Sequence, residues 1–304
     1  MYDIIGDVHG YAAKLKKLLL EMGYQKTNGS YSHPERKAIF VGDFINRGPE
    51  IRKTIRIIKA MVESGNAYAI LGNHELNAII YHLKDKEGRS IISKPSKYFL
   101  SLFKTINEYS AGSKELDEQL RWMRTLPLYL DLGEIRIVHA CWCEDAIKVA
   151  DTLYEDGRIR KKVFRKVYKK SSSEEAKSVW RLTKGVNLKF PSDIRVISNK
   201  GVSPRSFRIR WWDNLKGMTF KDASFESKFS MPAYTIPTEI IPKTFPYPDD
   251  APIVFFGHYC RGAGPYIIKH NVCCVDSCVA GTKSLLAYRW SGEKELDMNH
   301  LVKI

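Results

Sequence analysis

Near the start of the chain, short apolar runs that each stop at a glycine alternate with stretches whose apolar positions recur at helical spacing. Tyr2 to Ile5 is apolar and ends at Gly6, and Leu15, Leu18, Leu19 and Met22 then follow at i, i+3, i+4 and i+7, which predicts a strand, a loop and a one-sided helix. The unit recurs. Ala38 to Val41 ends at Gly42, Pro49 suits the first turn of a helix, and Ile51, Ile55, Ile58 and Val62 keep helical spacing. A third run, Ala67 to Leu71, ends at Gly72. Three strands that each deliver a glycine and polar residues to one sheet edge form the arrangement in which open α/β folds bind ligands.

The middle of the chain differs. From about Asn77 to Met123 it is polar and helix-compatible, Ile135 to Val138 predicts a strand entering His139, and a second mostly helical stretch runs from about Asp145 to Leu182. Phe207 to Trp212, Pro252 to Phe256, Asn271 to Val275 and Leu285 to Trp290 read as strands between Pro- and Gly-rich loops. The expectation is an α/β (α+β) chain forming one domain over residues 1–304, with helical insertions at about 77–125 and 145–200.

Composition narrows the classes. Hydrophobic residues make up 44% and charged residues 27%, which argues against disorder, a collagen-like repeat or a coiled coil. Six cysteines in 304 residues are too few for a disulfide scaffold, and no basic segment followed by an apolar one opens the chain, so a cytoplasmic protein is expected. Charged residues or proline interrupt every apolar stretch before it reaches the roughly 18 to 20 residues a spanning helix needs, so no membrane partner is expected. The balance of 49 Lys+Arg against 34 Asp+Glu leaves +15 and makes polyanions, nucleic acid among them, candidate partners.

The loops that follow the strands carry the candidate chemistry. They read Gly6-Asp7-Val8-His9-Gly10, Gly42-Asp43-Phe44-Ile45-Asn46-Arg47-Gly48, Gly72-Asn73-His74-Glu75, then His139, then Gly257-His258. Oxygen and imidazole donors suit Mn²⁺, Fe or Zn²⁺, whereas a soft-metal site would use thiolates. Asp7 and His9 can turn toward one ion, and the two carboxylate oxygens of Asp43 can bridge a pair.

These five blocks, in this order, resemble the calcineurin-like metallophosphoesterase superfamily, nearest its phosphoprotein-phosphatase branch with the bacterial symmetrical diadenosine-polyphosphate hydrolases. The resemblance covers Asp7 to His258, and the stretch at Asp276 is also similar. It implies a two-sheet sandwich flanked by helices and a binuclear centre of divalent metal, most readily Mn²⁺ with Fe or Zn²⁺ as alternatives. Carried over by motif, Asp7, His9 and Asp43 would hold the first ion, and Asp43, Asn73, His139 and His258 the second. The implied activity is a phosphatase acting on phosphomonoesters through a metal-bridging hydroxide, with Arg47 gripping phosphate and His74 as general acid. A small phosphoester, a nucleotide or a phosphoprotein would serve as substrate. Dinucleoside-polyphosphate hydrolysis and phosphodiester or RNA-end cleavage stay open, as does a weakly catalytic phosphate- or RNA-binding protein.

The chain departs from the family pattern in places. Asn46 stands where relatives carry an Asp that orients the catalytic imidazole, which implies a lower His74 pKa. Cys260 stands at the second His of a Gly-His-x-His motif and is read as a bystander. Leu71 replaces an arginine before Gly-Asn-His, so the second phosphate clamp is assigned to Arg210, on the expected strand into Trp211 and Trp212.

Other features have plainer readings. Arg158 to Lys170 holds eight basic residues, with Ile159, Val163 and Val167 at i, i+4 and i+8, so a helix with a solvated positive face is expected. An electrostatic collar for polyanionic substrate is the sharper reading. Cys141, Cys143, Cys273, Cys274 and Cys278 lack CxxC spacing and read as small buried hydrophobes. His33, His82, His270 and His300 receive no role.

Overall fold

Two five-stranded sheets face each other across a core of aliphatic and aromatic side chains in the computed structural model. It describes residues 1–92, 96–110, 113–192, 194, 196, 205–225, 231–241 and 246–304, the side chains of 96–99 excepted. The spatial order of the first sheet is Leu301–Lys303, Leu286–Trp290, Tyr2–Ile5, Lys37–Phe40, Ala67–Ala69. The order of the second is Ile267–Lys269, Val272–Cys274, Ile253–Phe256, Ile135–Val138, Tyr129–Asp131. Ile4, Ile39 and Leu286 from one sheet meet Ile137, Phe255 and Cys273 from the other in a single buried cluster. The inner strands are covered on both faces, which is why Ile253–Phe256 reads as an unbroken apolar run with every residue buried.

Strand register aims the loops. Tyr2–Ile5 runs parallel to Lys37–Phe40, and that strand parallel to Ala67–Ala69, with Ile5 opposite Phe40 and Phe40 opposite Ala69. The loops that follow, carrying Asp7, Asp43 and Asn73, therefore leave from one edge. In the second sheet Phe256 lies opposite both Val138 and Cys274 in parallel pairs, so His139, His258 and Asp276 emerge together.

The helix Ala12–Glu21 buries Ala12, Leu15, Leu18 and Leu19, and the helix Ile51–Glu63 buries Ile51, Ile55, Ile58 and Met61, the stripes expected from their spacing. The second of these has no side-chain cap of its own. Glu108, from the helix Ser96–Tyr109, supplies one instead, its carboxylate accepting from Ile51 N at 2.8 Å and Arg52 N at 2.9 Å.

Contacts divide the chain into two compact units, Met1–Lys184 with Pro252–Ile304, and Gly185–Ala251. Both large sheets and the helices Ser96–Tyr109, Lys114–Met123, Glu144–Asp151, Lys161–Lys169 and Glu174–Lys184 belong to the first. In the second, Asn187–Lys189 pairs with Ser206–Arg208, and Phe207 packs its ring on Phe190 and Phe220.

Two expected elements are redrawn. Arg158–Ile159 is not helical: it forms a hairpin with Tyr154–Glu155, and the helix begins at Lys161. Asp156 and Gly157 supply the positive φ the turn needs, and Ile159 is buried from a strand while Val163 and Val167 are buried from the helix. The expected strand through Trp212 stops at Arg208. Trp211 and Trp212 sit in a turn, both buried, with ring centroids 5.6 Å apart. No helix among the described residues is long and apolar enough to cross a membrane.

Candidate metal centre

The loops at the joined edges interlock through their backbones before any side chain is considered. His9 N donates to Asp43 O at 2.9 Å, Gly10 N to Phe44 O at 2.7 Å, and Gly48 N to His9 O at 2.8 Å. Such close passage needs glycine. A side chain on Gly72 would strike the Asp43 carboxylate, and one on Gly42, at φ +100°, would come within 2.7 Å of Gly72 and 2.9 Å of His139 Nδ1.

Asp43 stands between two sets of donors. Its Oδ2 lies 3.8 Å from His9 Nε2 and 3.8 Å from His74 Nε2, and its Oδ1 lies 3.5 Å from His139 Nε2. Asp7 lies 3.9 Å from His9 Nε2 and accepts from His258 N at 3.2 Å. Asn73 Oδ1 is 3.1 Å from His139 Nε2, and donor atoms of Asp43, His139 and His258 all lie within 4.8 Å of one another. Asp7, His9, Asp43, Asn73, His139 and His258 thus converge. The alternative trio of His9, Asp43 and His74 is equally close.

Hydrogen bonds on the far side of two rings set which nitrogen faces inward. A carbonyl oxygen can only accept, so His9 Nδ1 donates to Ile45 O at 3.0 Å and His139 Nδ1 to Val41 O at 2.7 Å. The Nε2 atoms are left for the centre, the tautomer a metal-binding imidazole needs. Burial lowers the His9 pKa to about 3, so its Nε2 presents a lone pair. Burial pulls His139 the same way, but the Asp43 carboxylate overrides it and pushes the pKa up to about 10.

The donor set fits divalent cations. Asp7, Asp43, Glu75 and Asp276 are all buried, and burial together with the neighbouring Asp276 charge raises the Asp7 pKa well above its ordinary value. Buried carboxylates in one another's field cost on the order of several kcal/mol each unless opposite charge sits among them. Hard oxygen and imidazole donors, clustered carboxylates and inward Nε2 atoms together suit divalent cations.

The loops also store backbone strain. His9, Asp43, Asn46, Arg47 and His258 all have φ between +46° and +68°, a region that costs non-glycine residues about 1 kcal/mol or more each. Five such residues cluster in these loops.

The model of the family described as calcineurin-like phosphoesterase matches residues 2–163. The chain belongs to that family. Among its relatives is the bis(5'-nucleosyl)-tetraphosphatase PrpE (asymmetrical) of Oceanobacillus iheyensis, 36% identical over 144 residues, which are 45% of this chain and 54% of the relative. The protein of the same name from Bacillus subtilis is 33% identical over 147 residues, 46% of this chain and 57% of the relative. The chain spans about half the length of these curated relatives. A solved mutant of a cold-active protein tyrosine phosphatase superposes with a TM-score of 0.50 at 15% identity, covering 99% of this chain and 76% of that one, which shows the fold alone.

In this member of the family the departure at Asn46 sits against the candidate general acid. Asn46 Nδ2 lies 2.5 Å from His74 Nδ1, while Asn46 Oδ1 accepts from the Thr105 hydroxyl at 2.5 Å, and Asn46 N donates to the same Thr105 oxygen at 3.2 Å. Burial lowers the His74 pKa. Arg47 is exposed at the rim, and its charge reaches His9 and His74. Arg210 lies past the end of its strand, in the second unit, 3.0 Å from Asp213.

Thr105, Glu75 and Asp276 also lie at this candidate site and have no role in the motif reading. Glu75 accepts from Asp43 N and Phe44 N at 2.8 Å each, from Gly72 N at 3.2 Å and from Ile45 N at 3.3 Å, so one carboxylate pins two ligand loops. Its place three residues after Gly72 was the available signal. Cys260 and Cys278 differ from expectation: they are joined as a disulfide with Cα atoms 5.0 Å apart. The loops after two paired parallel strands run side by side there, Arg261 N donating to Asp276 O at 3.0 Å. Cys141, Cys143, Cys273 and Cys274 are free and buried.

Proposed function

We propose that the chain is a divalent-metal-dependent phosphoric ester hydrolase. The observation that carries this reading is the Asp43 carboxylate, whose two oxygens stand 3.5 to 3.8 Å from three inward imidazole nitrogens. Asp7, His9 and Asp43 would hold one ion and Asp43, Asn73, His139 and His258 another. Mn²⁺ is the favoured metal, with Fe or Zn²⁺ as alternatives. Such a pair, when bound, supplies Lewis-acid activation of water and neutralises charge on a phosphoryl group.

The chain's own residues supply the rest. Arg47 has a guanidinium suited to two phosphate oxygens at once. His74 faces the same space with Nε2, and Asn46 donating to Nδ1 keeps the proton of the neutral ring on Nε2, in line with the leaving oxygen; the imidazolium form is the acid that transfers it. Arg210 is proposed as a second phosphate contact from the motif alone. The setting is read as cytoplasmic from the sequence alone.

A phosphomonoester is the first substrate reading. The second is a dinucleoside polyphosphate cut asymmetrically, favoured by the names of the relatives. Assays with Mn²⁺, Mg²⁺ and Zn²⁺ against p-nitrophenyl phosphate, bis-p-nitrophenyl phosphate, diadenosine tetraphosphate and a phosphopeptide separate the readings. ATP plus AMP from diadenosine tetraphosphate, faster than release from the monoester, selects the second. Turnover of none by a metal-loaded sample rejects the hydrolase in favour of a phosphate-binding protein.

A further inference from the structure

The helix Asn73–Tyr81 begins at the metal centre and ends, about 13 Å away at 1.5 Å per residue, beside a cavity unlike the first. Its volume is about 580 Å³, and Lys84, Arg121, Arg124, Arg158, Lys161 and Arg165 line it against two acids, Asp85 and Asp117. Asp85 is already engaged by Arg89 at 3.0 Å. A neighbouring cavity of about 600 Å³ shares Arg124, Arg158 and Lys161 and adds Arg160 and Lys162 together with two acids, Glu155 and Asp156. The shared residues set the two side by side as a basic trough.

Three elements converge to build it. Arg124 closes the helix Lys114–Met123, and the hairpin strand Arg158–Ile159 is bonded to it in both directions. Ile159 N donates to Arg124 O at 2.9 Å, and Arg124 Nη2 donates to Ile159 O at 3.0 Å. The helix Lys161–Lys169 then starts with two lysines and no acid in its first turn. Arg165 is tied by Nη2 to Lys84 O at 2.8 Å. Among the described residues the side chains of Arg121, Arg158 and Lys161 have no ion-pair partner, whereas Lys166, further along the helix, pairs with Glu175. Burial first, and the Arg158 charge second, lower the Arg124 pKa. Across the two linings eight Lys and Arg side chains face four acids, Asp85, Asp117, Glu155 and Asp156, and an excess of cations of this size suits an anion with several charges.

We propose that this trough is a second, non-catalytic site that takes a linear polyphosphate chain, either inorganic or carried by a nucleotide. The guanidinium groups match phosphate oxygens in pairs, and cations spread over two adjoining cavities suit a ligand with several phosphates rather than one. A single-stranded nucleic acid is disfavoured. Such strands are held by stacking bases on aromatic rings as well as by charge, and none of the described residues lining either cavity is Phe, Tyr or Trp. The site does not depend on the metal centre or on the reaction proposed there.

Calorimetric titrations of the metal-loaded protein with imidotriphosphate, adenylyl imidodiphosphate and a 12-residue oligouridylate test the assignment. The protein is compared with Arg158→Gln/Lys161→Gln, whose replaced side chains are both exposed. The double variant is expected to lose one polyphosphate site per chain, or to bind there about tenfold or more weakly with a shallower salt dependence. It should keep its melting temperature and its rate on any substrate the wild type turns over. Because the readout is the difference of one site, it stays legible even if the metal centre binds nothing. Tighter imidotriphosphate assigns the inorganic source and tighter adenylyl imidodiphosphate the nucleotide source. Equal stoichiometry and affinity in the two proteins overturns the proposal, as does oligouridylate binding tighter than both polyphosphates and lost in the variant.

Discussion

Asn46 Nδ2 lies 2.5 Å from His74 Nδ1, so the ring that faces the metal centre is steadied by a neutral amide where a carboxylate would be charged. An amide donor bonds to the ring nitrogen only when that nitrogen is bare. It therefore selects the neutral tautomer with the proton on Nε2 and does nothing to favour the imidazolium. Burial lowers the His74 pKa with no charge at position 46 to oppose it. Asn46→Asp should therefore raise the pKa of His74 by about one unit or more and move the alkaline limb of the pH-rate profile upward by the same amount. A limb that stays in place would contradict the role given to His74.

The amide itself is held from behind. Thr105 donates to Asn46 Oδ1, which leaves Nδ2 as the end that meets His74. Thr105→Val removes that constraint and should lower kcat about tenfold with KM little changed, a loss of about 1 kcal/mol of positioning. Thr105→Ser should restore most of the rate. A loss in Thr105→Ser with none in Thr105→Val would mean that the methyl group's packing matters and the hydroxyl does not.

Glu75 presents an oxygen to each of four amide donors, and Glu75→Gln would turn an NH₂ group against two of them. The variant is expected to lose about 1 to 3 kcal/mol in urea unfolding. Hydrogen exchange should accelerate at Asp43, Phe44 and Gly72 more than in the distant strand Leu301–Lys303. Uniform acceleration would show global loosening in place of a local pin.

The proton on His139 gives a pH signature. In the metal-free protein its pKa is raised from 6.5 to about 10, so the folded state binds this proton more tightly than the unfolded state. The resulting stability is fully present below pH 6.5 and is lost as pH rises toward 10. Chelator-treated protein should thus melt at falling temperature across that window. A bound cation needs the bare nitrogen, so metal binding at pH 7 to 8 should release about one proton from this ring, visible as a buffer-dependent heat in calorimetry.

Much of this was legible in the chain because parallel strands project their following loops in a fixed direction. Apolar runs ending at Gly6, Gly42 and Gly72 located three loops, and the His and Asp residues beside them followed. Residues reaching the site from other elements were not legible. Thr105 and Glu108 lie in a helix whose own periodicity says only that it is amphipathic, yet they touch Asn46 and the start of the helix Ile51–Glu63. The Cys260–Cys278 bond depends on two parallel strands being neighbours, which no spacing along the chain records. Arg158 and Ile159 continued the helical period of the residues after them, and the tight turn at Asp156-Gly157 overrode it.

Metal content decides the central claim most directly. Protein loaded with Mn²⁺ and dialysed exhaustively should retain about two ions per chain. Anomalous difference maps should place them on either side of the Asp43 carboxylate, and Asp43→Asn should reduce the retained metal to less than one ion per chain. A wild-type sample that keeps no ion, or maps whose peaks lie away from Asp43, would contradict the account.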